Sequence, residues 1–203
     1  MSSNPFDRFF PADFQLETPR VQLRPMQLSD IEIYKSLANE PDLWKYFTKD
    51  LMDPHEMEQW VKDALDEKMK FTRMPFTVID KDTKTVCGST SYGNISFFDK
   101  RIEIGWTWLG KEYIGMGVNR QAKFALLSYA FEVMKMERVE IKTDYLNERA
   151  RAALIKVGMK PEGVLRSHMQ MHSNRRRDTI YFSILKDEWP ERKNNFFADL
   201  CYA

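Results

Sequence analysis

The sequence predicts a mixed α/β domain of the α+β kind, and three observations carry the prediction. Hydrophobic spacing is helical in two early stretches that open with capping signals, alternates between residues 75 and 109, and turns helical again from 118. Short polar turns of the hairpin type break the alternating stretch. A long apolar helix then leads from one strand run into the next, the arrangement of a right-handed crossover.

The first 18 residues place Phe6, Phe9, Phe10 and Phe14 among Pro and Asp without a period, and are expected to form an arm packing on a domain of residues 19–186, with 187–203 as a C-terminal extension. Val21 and Leu23 alternate with Gln22 and Arg24 in a first strand over 20–25. Ser29-Asp30-Ile31-Glu32 fits a capping box and predicts a helix over 29–39. Asp53-Pro54-His55-Glu56 combines an N-cap carboxylate, Pro at the first helical position and Glu at the third, and opens a helix to about Lys70 with Met57, Trp60, Val61 and Leu65 on one stripe. Residues 75–79, 86–98 and 101–109 form an antiparallel meander turning at Asp80-Lys81-Asp82-Thr83 and Asp99-Lys100. The helix over 118–135 leaves water only the stripe Gln121, Ser128, Glu132 and Lys135, so it packs hard on a sheet. A strand over 138–143 follows, then a helix over 147–157 capped by Asn147 and stopped by Gly158. Strands 163–171 and 179–185 close a hairpin around Ser173 and Asn174.

Composition narrows the function classes. The 203 residues hold 31 Lys plus Arg against 30 Asp plus Glu, a net charge of +1 that offers no broad basic field to nucleic acid. No apolar run approaches the roughly 18 residues of a membrane span, and the start lacks a signal-peptide pattern, so a cytoplasmic protein is expected. Two distant cysteines, Cys87 and Cys201, make no disulfide framework or zinc spacing. His168 and His172 stand four apart in a strand-like run, about 13 Å from each other, so no metal site is expected.

The turn into the long helix reads Ile114-Gly115-Met116-Gly117-Val118-Asn119. Glycines there leave backbone N–H groups unshielded, and the helix N-terminus adds unpaired donors, which suits a phosphate or pyrophosphate. An ordinary strand-to-helix turn uses glycine in the same way. Neither a Walker A nor a complete GxGxxG is present, since position 120 is Arg.

In series with Glu17-Thr18-Pro19-Arg20 at the first strand, Glu103-Ile104-Gly105-Trp106 in the meander, Arg138-Val139-Glu140, Asn147-Glu148-Arg149-Ala150, Gly158-Met159-Lys160-Pro161 and Arg177-Asp178, this turn resembles the GNAT superfamily of acetyl-CoA-dependent N-acetyltransferases, in its RimJ/RimL-like branch. The resemblance runs from about Leu16 to Trp189 and implies a central, mostly antiparallel sheet of about seven strands, splayed at the fourth and fifth and flanked by about four helices. It implies acetyl-CoA as cosubstrate, with pyrophosphate on the turn from Ile114 through Gly115, Met116, Gly117 and Val118 to Asn119. Ile114 stands where the family has Gln or Arg, and Asn119, a favoured N-cap residue, where it has Gly or Ala. The pantetheine arm would add along the strand edge at Trp108 and Leu109. Asn147 matches a pantetheine contact and serves equally as a helix cap; Arg149 would approach phosphate or stay solvated.

The implied reaction is direct attack by a primary amine, a protein N-terminus or a small molecule, in a ternary complex. Glu103 matches the family position of a carboxylate facing the acceptor, with a surface strand Glu as the alternative, and Glu162 is the second candidate base. The backbone N–H of Leu109 or Trp108 is the expected oxyanion donor. Positions that carry Tyr or Ser acids in relatives are Leu154 and Ala150 here, leaving Tyr145, Tyr181 or water to protonate the departing thiolate. The same gaps motivate a rival reading, a CoA-binding module without efficient transfer. Trp44, Tyr46, Phe47 and Trp60 are expected to wall the acceptor pocket. Arg175-Arg176-Arg177 grips an anion or forms a solvated turn, and a homodimer through the C-terminal strands or the Phe196-Phe197 tail is compatible with the sequence.

Overall fold

Eight strands form a single sheet in the computed structural model, which describes residues 4–201; residues 1–3 of the expected arm and 202–203 of the expected extension lie outside it. β1 (Leu16–Glu17), β2 (Val21–Pro25), β3 (Arg73–Asp80), β4 (Thr85–Ser96), β5 (Arg101–Leu109), β6 (Arg138–Asp144), β7 (Lys160–Gln170) and β8 (Arg176–Leu185) lie in the order β1-β2-β3-β4-β5-β6-β8-β7. Neighbours are antiparallel except β5 and β6, the parallel pair made by the crossover. The helices are α1 (Pro5–Phe9), α2 (Ile31–Leu37), α3 (Pro54–Met69), α4 (Val118–Ser128), α5 (Glu148–Lys156) and α6 (Trp189–Cys201). Beyond the seven strands and four helices expected, the chain adds β1 and α1 before residue 18 and α6 after 187. β1 is too short to show alternation, whereas Trp189, Phe197 and Leu200 supply α6 with a buried stripe.

Two apolar clusters sandwich the sheet. One joins Phe6, Phe10 and Phe14 to α4, α5 and α6 over Val78, Tyr92, Ile104 and Val139; the other joins α2, α3 and Trp44 over Met26 and Trp108. A strict period of two would put Ile102, Ile104, Trp106 and Trp108 on one face. Instead, Trp106 and Thr107 together face Thr90, a bulge that reverses the alternation and leaves Trp106 at φ 52°. Ile102 and Ile104 therefore join the α4 side, and Trp106 and Trp108 the α2–α3 side. Gly93 makes room for this, since a Cβ there would stand 2.2 Å from the Trp106 ring.

β5 and β6 stay paired over only Arg101↔Arg138, Ile102↔Val139 and Glu103↔Glu140, and then diverge. Two helices depart from their sequence pattern. Ser29 is not the cap of α2; the buried Asp30 carboxylate, held by Arg24 and Thr77, accepts the Gln27 N–H at 2.8 Å and closes a short 3-10 turn before Ile31. The long helix is α only to Ser128 and widens into a π turn over Tyr129–Val133, beside which the buried Tyr92 hydroxyl donates to the Leu126 carbonyl. The Asp53 carboxylate caps α3 by accepting the His55 N–H at 2.8 Å, as its sequence predicts.

Candidate active site

The divergence of β5 and β6 opens a cleft of about 680 Å³. One end is the turn into α4. Gly115 and Gly117 hold φ of 83° and 84°, which calls for glycine, and a Cβ built on either meets nothing within 4 Å, so the space in front of the turn is open. Arg20, held by Asp80 at 2.7 Å, donates to the Met116 carbonyl at 2.7 Å and pins the turn from behind. The first bond along α4 runs from the Gln121 N–H to the Gly117 carbonyl at 3.1 Å, so the amides of Val118, Asn119 and Arg120 precede it. Gly117, not Asn119, is the N-cap: the left-handed cap conformation falls to the glycine, and Asn119 turns its Oδ1 to the Lys123 Nζ at 2.7 Å. Ile114, Gly115, Gly117 and Asn119 line the cleft. Val118 is buried in the core and the Met116 side chain is largely exposed, so these two offer backbone alone.

Trp108 and Leu109 line the β5 wall, and the indole N–H of Trp108 is buried without a partner. Asn147 lines the opposite wall while its Oδ1 accepts the Ala150 N–H at 3.0 Å, so it caps α5 with its oxygen and keeps its amide nitrogen for another partner. Arg149 stands exposed at the rim, and Ala150 and Leu154 present only carbon.

Glu103 lies where the strands part, 3% exposed and on the cleft wall. Asn94 Nδ2 at 2.6 Å and Lys142 Nζ at 2.9 Å both donate to its Oε2, which leaves Oε1 beside the bare Cα of Gly105. Glu162 is outside the cleft; hydrogen bonds from Ser183 and then Arg138 hold its carboxyl below the usual range. Neither Tyr145 nor Tyr181 lines the cleft: Tyr145 lies half exposed under Arg151, and Tyr181 faces His168. Among the described residues Tyr46 is the phenol that does line it. Burial pushes the Cys87 thiol up to about 12, away from nucleophile chemistry.

The four early aromatics divide. Tyr46 and Phe47 face the cleft, whereas Trp44 and Trp60 pack in the α2–α3 cluster behind it. The arginine cluster divides as well. Arg175 pairs with the buried Asp144, Arg176 holds the Ser167 bulge, and Arg177, 7% exposed, lines the cleft while its Nε donates to Thr179 Oγ1 at 3.0 Å. His172 approaches the Trp44 carbonyl oxygen at 3.1 Å and joins the β7–β8 hairpin to the aromatic wall.

Trp106, Lys142 and Lys123 also line the cleft, and no motif in the sequence assigns any of them to it. The signal for Lys123 was present, because it is a lysine lying outside the polar stripe of its helix.

The model of one protein family, an acetyltransferase (GNAT) domain, matches residues 20–160. Uncharacterized N-acetyltransferase p20 of Bacillus licheniformis is 28% identical over 178 residues, 86% of this chain and 97% of that protein. A Bacillus subtilis protein provisionally named ribosomal N-acetyltransferase YdaF is 34% identical over 109 residues, 54% of this chain and 58% of its own length. The crystal structure of a GCN5-related N-acetyltransferase from Brucella melitensis superposes with a TM-score of 0.83 at 26% identity, covering 94% of this chain and 86% of that one.

Proposed function

This chain belongs to the GNAT acetyltransferase family, and from that premise we propose that it transfers an acetyl group from acetyl-CoA to a primary amine, in the β5–β6 cleft and without a covalent enzyme intermediate. The observation that carries the reading is the alignment along one cleft of an open glycine turn at a helix N-terminus and a buried carboxylate with one unpaired oxygen.

The residues present fit the cosubstrate. Amides from Gly115 to Asn119 would hold its pyrophosphate, the β5 edge at Trp108 and Leu109 would pair with its pantetheine arm, and the free amide nitrogen of Asn147 would donate to the same arm. When bound, acetyl-CoA supplies an acetyl group activated as a thioester. Oε1 of Glu103 accepts the hydrogen bond of the incoming amine and takes up its proton, directly or through a water. Lys142 and Asn94 fix that carboxylate through its other oxygen, so its orientation does not depend on the acceptor. The N–H of Leu109 or Trp108 would donate to the carbonyl oxygen as negative charge builds there. Tyr46, Phe47 and Trp106 exclude bulk water from the acceptor side. Leu154 and Ala150 give no proton and Tyr145 and Tyr181 stand outside the cleft, which leaves water, or the cleft phenol Tyr46, to protonate the departing sulfur.

The acceptor favoured by the charged lining around Glu103, Lys142 and Arg177 is a peptide N-terminus, in keeping with the name of the YdaF relative. The test is thiol release from acetyl-CoA across peptides with free N-termini and small amines, run beside calorimetric binding of acetyl-CoA. Acceptor-dependent release supports the transferase. Tight acetyl-CoA binding with no release above background for any acceptor would favour the binding-module reading.

A further inference from the structure

Lys123 is a buried charge on the cleft wall that the reaction above does not use. It sits on the second turn of α4, 6% exposed, and lines the cleft. Its Nζ donates to Asn119 Oδ1 at 2.7 Å, which brings the ammonium back toward the first turn of the helix, and no carboxylate pairs with it among the described residues. A buried ammonium without a counter-ion is costly, and burial pushes Lys123 down to about 8.

The other charges facing the cleft cannot neutralise it. Arg120, on the same helix, is held by Asp199 of α6 at 2.5 Å. Glu103 on β5 is held by Lys142 on β6. Arg149 and Lys156 on α5 and Arg177 on β8 are themselves cations. Among the described residues every charge left unpaired around the cleft is positive, so the protein itself supplies Lys123 with no counter-ion.

We propose that Lys123, aimed by Asn119, is a ligand of the pyrophosphate of acetyl-CoA and supplies the charged side-chain contact that Ile114 cannot make. This rests on the acetyl-CoA reading of the cleft. Both departures from the family turn then have one explanation: Ile114 removes a side-chain donor before the glycines, and Asn119 positions another from beyond them. The site is pH-linked. In the free protein Lys123 loses its proton as pH rises through about 8. A bound pyrophosphate favours the ammonium, so binding at pH 8 takes up to about half a proton from solution, and affinity falls as pH rises further. Near pH 6.5 the lysine is already charged and this uptake vanishes.

The experiment is titration calorimetry with acetyl-CoA at pH 6.5, 8 and 8.5 in buffers of different ionisation enthalpy, on the parent chain, Lys123→Met and Lys123→Arg. Acetyl-CoA is the probe because the free thiol of CoA would titrate in the same range. The parent should take up protons at pH 8 and 8.5 but not at 6.5. Lys123→Met should bind about tenfold to a hundredfold more weakly at pH 6.5 with no Lys-linked uptake at any pH. Lys123→Arg should keep affinity within a few-fold and also lose the uptake, because its charge does not titrate. Thermal melting of ligand-free Lys123→Met should show no loss of stability, since removing an unpaired buried charge relieves desolvation. Equal affinity and equal proton uptake in the parent and Lys123→Met would overturn the assignment and leave the cleft reading standing. No acetyl-CoA binding by the parent would overturn both.

Discussion

Replacing Gly117 by Val separates what the turn costs the fold from what it gives the ligand. Gly117 has φ of 84°, where an L-residue loses roughly 1–2 kcal/mol. A Cβ there meets no protein atom within 4 Å, so no packing clash adds to the strain. For a chain of this size that predicts a fall in melting temperature of roughly 2–8 °C. The same empty space is where the pyrophosphate would approach the amides, and the valine methyls would fill it. Losing two charge-assisted hydrogen bonds, each about 1.5–3 kcal/mol, weakens binding at least about a hundredfold. Gly163→Ala is the control: its Cβ also meets nothing within 4 Å, it has no positive φ, and it lies on β7 outside the cleft. Scanning calorimetry and acetyl-CoA titration on both variants make the comparison. A Gly117→Val protein that melts within the predicted range yet binds acetyl-CoA within about threefold of the parent would refute the placement of the phosphate site.

Other substitutions test the remaining parts. Glu103→Gln should lower kcat about a hundredfold or more while acetyl-CoA affinity stays within about twofold, and an unchanged kcat across the pH range would remove Glu103 from the role of base. Gly93→Ala forces a methyl group into the Trp106 ring, so it should cost about 1–3 kcal/mol in denaturant unfolding and raise KM for the acceptor; an unchanged unfolding midpoint would contradict the bulge packing. At pH 8 a chromogenic disulfide should titrate the partly exposed Cys201 readily and leave buried Cys87 unreacted until denaturant is added. Rapid reaction of both thiols in the native protein would contradict the buried placement of Cys87.

Most of the architecture was legible because its signals are local. Asp53-Pro54 and Asn147 cap their helices as their side chains predict, and the β5–α4–β6 crossover follows from apolar spacing. The glycine turn was legible for the same reason, since positive φ is a local demand met by Gly115 and Gly117. What was not legible depends on distant partners. The α2 cap moved because Asp30 finds Arg24 and Thr77, the latter 47 residues away. The bulge in β5 needs Gly93 on β4 to receive Trp106, and nothing within 101–109 announces it. Tyr145 and Tyr181 suit proton donation by chemical type, but the directions of their side chains depend on packing that periodicity does not encode. Asn119 suits a cap by residue type, since Asn is a favoured capping residue, but Gly117 two positions earlier takes that place.

The central claim, that the β5–β6 cleft is an acetyl-CoA site feeding Glu103, is tested most directly by a crystal structure of the protein grown with CoA. The account predicts the pyrophosphate within hydrogen-bond distance of the amides between Gly115 and Asn119, the pantetheine arm along Trp108 and Leu109, and the sulfur at the end of the cleft beside Glu103. A CoA molecule bound on another face, or one whose sulfur points away from Glu103, would contradict it.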